Sequence, residues 1–383
     1  MEHLINPKVK NIEISGIRKF FNMVADTKNM ISLTIGQPDF PTPTHVKEAG
    51  KRAIDQNFTT YTHNAGDIRL RKAATDFVNK KYNLTYNPET EVIVTSGASE
   101  AIDISFRTIL EEGSEVILPG PVYPGYEPII KLCGATPVFS DITQNNFRFT
   151  ADLIKTKISE RTRCIVLPYP SNPTGVSLTK GELEEIAVLV RGRDIFILAD
   201  EIYSELIYEQ PHQSIASHLR KQTIVINGLS KSHSMTGWRV GLLFAPENLA
   251  KHILKVHQYN VTCASSISQM AALEALTTGK NDALPMRQEY AKRRDYVYNR
   301  LVQMGMDVVK PDGAFYFFIK MPSVSMNSFD FALSLVEKAG VAVVPGSAFS
   351  TYGEGYFRIS FAYSMDTLKE GMDRIEQYLE GIK

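Results

Sequence analysis

The stretch that decides the fold is Asn227-Gly228-Leu229-Ser230-Lys231-Ser232-His233-Ser234-Met235-Thr236-Gly237-Trp238-Arg239-Val240-Gly241. An apolar β-type run, 223–226, leads into it, and another, 240–244, leads out. Between them stands one lysine among small hydroxyl and glycine residues, with an arginine eight positions on. A lysine at the end of a buried strand is unfavourable unless it is paired, neutral or covalently used. Lys231 is therefore read as a reactive amine.

The chain before this stretch repeats the same unit of apolar run and polar turn. A strand at 91–95 is followed by Ser96-Gly97-Ala98-Ser99-Glu100-Ala101, which opens a helix to about 110. A strand at 115–118 runs into Pro119-Gly120-Pro121-Val122-Tyr123-Pro124-Gly125-Tyr126, and another is read at 136–139. The strand 164–167 ends at Pro168-Tyr169-Pro170-Ser171-Asn172-Pro173-Thr174-Gly175. A helix fits 179–191, and the strand 195–199 ends at Asp200-Glu201-Ile202-Tyr203. These runs are continuously apolar rather than alternating, so they predict strands buried on both faces. Interleaved with helices, they predict an α/β fold on a mainly parallel sheet. Right-handed crossovers put the strand C-ends on one edge, where open α/β sheets bind ligands. Residues 96–99, Asn172, Asp200 and Lys231 all follow strands and are predicted to converge there.

The two ends of the chain read differently. A helix at 16–24 and a strand at 31–35 precede Gly36-Gln37-Pro38-Asp39-Phe40-Pro41-Thr42-Pro43, where three prolines force an extended loop. Helices follow at 44–55 and 67–81, on either side of the polar turn Tyr61-Thr62-His63-Asn64-Ala65-Gly66. Beyond 245, helices at 247–257, 266–278 and 286–304 give way to strands at 315–319, 341–344 and 356–361, with helices at 329–338 and 365–382. This predicts a large domain over 46–284 and a smaller α+β domain built from both chain ends, 1–45 and 285–383.

Bulk properties exclude several classes. Lys+Arg and Asp+Glu are both 42 in 383 residues, so no net field favours nucleic acid or an acidic membrane. No apolar run approaches the ~20 residues of a spanning helix. The N-terminus lacks a basic region followed by an apolar one, which predicts no secretory leader. The three cysteines are odd in number and far apart, which suits a reducing cytoplasm. No HExxH spacing supports a metal, and no GxSxG elbow supports a serine hydrolase.

Taken alone, Asp200 and Lys231 read first as a structural ion pair, though buried pairs stabilise weakly. The cofactor whose chemistry uses a lysine and an aspartate is pyridoxal 5′-phosphate (PLP). Its aldehyde forms an imine with lysine, and its ring nitrogen needs an anionic partner. PLP makes further demands. Its phosphate needs N–H donors and a cation, which 96–99 at a helix N-terminus and Arg239 can supply. Its ring hydroxyl needs donors such as Tyr203 and Asn172, and its ring face needs an aromatic such as Tyr123. Each of these residues also has a plain reading as cap, surface charge or packing aromatic.

The ordered set Ile35-Gly36-Gln37-Pro38-Asp39-Phe40, Tyr61-Thr62, Ser96 to Ala101, Asn172-Pro173-Thr174-Gly175, Asp200-Glu201-Ile202-Tyr203, Ser230-Lys231-Ser232, Thr236 to Gly241 and Phe357-Arg358-Ile359-Ser360 resembles the class I/II aminotransferases of PLP fold type I, over essentially the whole chain. The resemblance implies a mainly parallel seven-stranded sheet flanked by helices. It implies that Lys231 carries the cofactor and then moves the proton at the substrate Cα. It implies Asp200 on the pyridinium nitrogen, Tyr203 and Asn172 on the ring hydroxyl, and Tyr123 on the ring. Gly97, Ala98, Ser230 and Arg239 would surround the phosphate. Arg358 would bind the substrate α-carboxylate, assisted by Asn172 and Gly36. Tyr61 would reach the cofactor phosphate of a second copy, making the active unit a homodimer. The implied activity is ping-pong transfer of an amino group from an amino acid to a 2-oxo acid, with glutamate and 2-oxoglutarate as one pair. The Ile35-to-Phe40 and Tyr61-to-Gly66 pieces look like the bacterial branch holding aspartate, aromatic and N-acetyl-diaminopimelate aminotransferases. The overall text looks closest to the Bacillus-type N-acetyl-diaminopimelate enzymes of lysine synthesis. A C–S β-lyase on the same fold would share nearly every cofactor residue. A non-catalytic ligand-binding module is the third reading, disfavoured because Lys231 is retained.

Overall fold

The computed structural model describes residues 1–24, 27 and 29–382. Its strands are β1 (Ile31–Ser32), β2 (Val92–Thr95), β3 (Glu115–Gly120), β4 (Thr136–Asp141), β5 (Thr162–Leu167), β6 (Phe196–Asp200), β7 (Thr223–Gly228), β8 (Gly241–Phe244), β9 (Tyr316–Lys320), β10 (Val341–Ala342), β11 (Val344–Pro345) and β12 (Tyr356–Ser360). Seven of them form one sheet in the order β2-β8-β7-β6-β5-β3-β4. All its pairings are parallel except those of β8, which runs antiparallel to both β2 and β7. The chain is a mostly parallel α/β sheet flanked by helices.

The sheet is buried on both sides because successive side chains of one strand alternate between faces. In β7, Val225 packs into one apolar cluster with Ile197 and Ile165, while Ile224 and Ile226 pack into the other with Leu198 and Val166. All three β7 residues are fully buried. Each such side chain contributes about 1.5–3 kcal/mol. A polar substitution at Val225 would break this layer first.

The reversal of β8 has a local cause. The quoted stretch makes a short 3₁₀ turn at Thr236–Trp238, and Arg239 then adopts a left-handed backbone with φ 55°. The chain therefore turns back beside β7, with Gly228 opposite Gly241. Gly241 is required there, since a Cβ would lie 2.5 Å from Thr95 Oγ1 and 2.6 Å from the Gly97 carbonyl carbon.

The chain ends build two smaller sheets, β1-β10 and β11-β12-β9. The single run read at 341–344 is in fact two strands. β10 pairs in parallel with β1, and after Val343 the chain pairs β11 antiparallel with β12. β1 is shorter than the 31–35 reading because Thr34 leaves the sheet, its carbonyl accepting from Arg358 Nη2 at 2.5 Å. The helix Tyr126–Leu132 was also not read. Pro128 argues against a helix in sequence, but it stands in the first turn, where no N–H is needed.

Candidate active site

A cavity of about 420 Å³ opens at the edge where the C-ends of the parallel strands emerge. Of the twelve residues singled out in sequence, all but Gly97 and Tyr61 line it. Its floor comes from the large sheet. Asp200 is the last residue of β6 and only 7% exposed. Desolvation raises its carboxyl above the usual range, while a 2.7 Å hydrogen bond from the buried Tyr126 hydroxyl opposes the rise. The Ile202 amide donates a second, longer bond at 3.3 Å.

Lys231 lies three residues beyond β7. Desolvation lowers its ammonium from 10.5 to about 8, with the Arg358 charge adding to the effect. The ion pair that Lys231 and Asp200 could have made is not among the described salt bridges. Lys231 Nζ donates instead to the Gly36 carbonyl at 2.5 Å. An amine near neutrality, tethered only to a carbonyl, is free to act as base or nucleophile.

A second group of residues makes an anion cradle. The helix Ala98–Ile109 begins at Gly97 with no side-chain cap, and its first residues, Ala98 and Ser99, line the cavity. Arg239 stands beside it, bonded to the Thr236 carbonyl at 3.1 Å and the Ser96 carbonyl at 3.5 Å. It has no carboxylate partner among the described residues. A Cβ at Gly97, whose φ is 84°, would collide with this guanidinium. Gly97 thus shapes the cradle from beneath without lining the cavity. Ser230 borders it and is 7% exposed.

The opposite wall is Arg358, at the centre of β12 and 2% exposed. Its Nη1 donates to Asn172 Oδ1 at 2.9 Å and its Nη2 to the Thr34 carbonyl, while its Nε has no partner among the described residues. Its guanidinium lies 4.4 Å from the Tyr316 ring centroid and 5.1 Å from that of Phe349. A buried cation with an unmet donor is a site for a carboxylate. Tyr203 is 5% exposed, and its hydroxyl is 2.7 Å from that of Tyr316.

An amine of lowered pKa, a buried carboxylate, a helix start beside Arg239, and a buried arginine thus face one space. The model for aminotransferases of class I and II matches residues 28–375. The chain belongs to that family. This aminotransferase is 65% identical over 379 residues to a protein of Bacillus subtilis described as a probable N-acetyl-LL-diaminopimelate aminotransferase, covering 99% of this chain and 96% of the relative. It is 38% identical to aromatic-amino-acid aminotransferase 2 of Thermococcus litoralis, over 98% of each chain. Among solved structures it resembles the aspartate aminotransferase of Thermus thermophilus with maleate, with a TM-score of 0.93 and 33% identity over 97% of this chain and 99% of that one. The aminotransferase is PLP-dependent and exchanges amino groups between amino acids and 2-oxo acids. The unoccupied donors around the cavity fit that cofactor: the cradle suits a phosphate, and Lys231 suits an aldehyde.

Tyr61 stands apart. It is 82% exposed and lines a separate surface depression with Phe58 and Arg69. Three site residues escaped the sequence reading. Tyr126 sat in the quoted proline loop, where only its neighbour Tyr123 was singled out. Tyr316 lies inside the aromatic run 315–319 and reads as core. Thr34 acts through its backbone carbonyl, which no side-chain pattern reveals. Among the described residues there is no cluster of metal-ligating groups, and no helix is long and apolar enough to cross a membrane.

Proposed function

We propose that this aminotransferase takes N-acetyl-LL-diaminopimelate as its physiological partner in lysine biosynthesis, with glutamate and 2-oxoglutarate as the second pair. The observation that carries the substrate reading is the 65% identity to the Bacillus subtilis relative of that description. When bound, PLP supplies an electron sink that acidifies the substrate Cα proton.

In our reading the chain's own residues divide the remaining work. Lys231 would anchor the cofactor, and its amine, lowered to about 8, would take and return the Cα proton. Asp200 holds the ring nitrogen protonated, and its burial excludes competing water. Tyr203 and Asn172 hold the ring hydroxyl, and Tyr123 covers the ring face. Gly97, Ala98, Ser230 and Arg239 hold the phosphate. Arg358 orients the substrate α-carboxylate, with Asn172 and the Gly36 backbone alongside. Tyr61 would serve the phosphate of a second copy in a homodimer, a role supported by its 82% exposure. We also read 46–284 as the cofactor-binding domain and 1–45 with 285–383 as the smaller one, supported by the β1–β10 pairing of the two chain ends. The free state of Cys133, Cys164 and Cys263 supports a cytoplasmic location.

The test is a donor panel with 2-oxoglutarate as acceptor, read as glutamate formed. N-acetyl-LL-diaminopimelate should give the highest kcat/KM, above aspartate and the aromatic amino acids. Inactivity with that donor sinks the lysine-pathway reading. Pyruvate and ammonia released from cystathionine, without glutamate, would indicate a lyase. Lys231→Ala should remove the visible absorbance of the bound cofactor and all turnover; an unchanged spectrum would reject Lys231 as the anchor.

A further inference from the structure

Tyr316 stands between the two functional walls and touches both. Its hydroxyl is 2.7 Å from that of Tyr203, and its ring carries the Arg358 guanidinium at 4.4 Å. Both tyrosines and Arg358 are at most 5% exposed. The Tyr203 hydroxyl has no other hydrogen-bond partner among the described residues, so its orientation depends on Tyr316. The two rings also meet edge to face, with centroids 5.9 Å apart. Gly36 makes room for this arrangement: a Cβ there would come to 3.0 Å from the Tyr316 hydroxyl.

We propose that Tyr316 is a positioning residue that couples substrate-carboxylate binding at Arg358 to the hydrogen bond that Tyr203 makes with the cofactor. The proposal rests on the roles given above to Tyr203 and Arg358. The physical link has two parts. Either hydroxyl of the pair can donate; with Tyr316 as the donor, the Tyr203 proton is left to point at the ring oxygen. Hydrogen bonds in such a chain polarise one another. The cation on the π-face of Tyr316 withdraws density from that ring and strengthens its O–H as a donor. A carboxylate that neutralises Arg358 weakens the pull, so binding at one wall is felt at the other. The charged and titratable groups facing the pair are Arg358, Asp200, Lys231, Tyr123 and Tyr363.

Two substitutions separate the parts. Tyr316→Phe keeps the ring under Arg358 and removes the hydroxyl. Tyr316→Leu removes both. A donor on the ring oxygen stabilises its deprotonated form, so losing the donor raises the pH midpoint of the holoenzyme's visible band. Tyr316→Phe should raise that midpoint by about 0.5–1 pH unit, less than Tyr203→Phe does, with the amino-donor KM within about twofold of the parent. Tyr316→Leu should show the same midpoint shift and a KM raised about tenfold, the scale of one lost cation–π contact. An unchanged midpoint in Tyr316→Phe overturns the proposal, as does an equal KM in the two variants. If Tyr316→Leu fails to fold, judged by thermal melting, Tyr316→Phe alone decides. Loss of the visible band in the parent protein would instead overturn the cofactor reading, so the two failures are distinguishable.

Discussion

Asp200 ends β6 and Lys231 follows the neighbouring β7 by three residues, whereas Arg358 holds the carbonyl of Thr34 across 324 residues of chain. The floor is thus assembled from short, repeated strand-and-turn units. The wall is assembled from three remote segments: β12, the Asn172 loop and the extended stretch after β1. The floor's partners are local to the sheet edge, as with Tyr126 and Asp200. The wall's partners are backbone and amide oxygens that leave one guanidinium donor unmet. The floor shifts the ionisation of buried groups, and the wall holds a buried guanidinium with one donor unmet among the described residues.

This division should appear in kinetics. Asp200→Ala removes an electrostatic group that acts as charge develops, so kcat should fall about 10²–10³-fold with a smaller change in donor KM. Arg358→Lys keeps the charge but loses the planar fork. Its loss of about 10–100-fold in kcat/KM should lie mainly in KM. If both variants distribute their losses alike, floor and wall are not separate devices.

A smaller effect concerns stability in the cofactor-free protein. Lys231 ionises at about 8 when folded and at 10.5 in the reference state. Below about pH 8 folded and unfolded chains both carry the charge, and the folded one must bury it. Between about 8 and 10.5 the folded chain binds fewer protons, so stability rises with pH across that window. Lys231→Met should therefore be more stable than the parent at pH 7, by about 1–3 kcal/mol, and the gap should close as pH rises through the window. A gap independent of pH in urea unfolding would show that folding does not lower the amine's affinity for the proton.

The same contrast explains what could be read in the chain. The strands of the large sheet are uninterrupted apolar runs ended by turn residues, so 223–226 and 195–199 pointed directly to β7 and β6, and through them to Lys231 and Asp200. The helix read at 179–191 is Lys180–Val190, and the structure opens it with a capping box of Thr179 and Glu182. Arg358 was different. An arginine inside a strand usually faces solvent, and nothing within several residues of it signals burial. Its expected role comes from the family pattern, and the structure places it against the Tyr316 ring and the Thr34 carbonyl. Tyr316 was invisible because an aromatic run has the same pattern whether one ring packs in the core or borders a cavity. The split of 341–344 was invisible because both halves are apolar and buried.

That split has a practical consequence. Val343 is the single residue between a strand paired with the segment leading to Gly36 and a strand paired with the one bearing Arg358. The two segments are yoked at that hinge-sized joint, so redesigning selectivity means treating 31–36, 341–345 and 356–360 as one module. A graft that exchanges any one of them between relatives will misalign the other two.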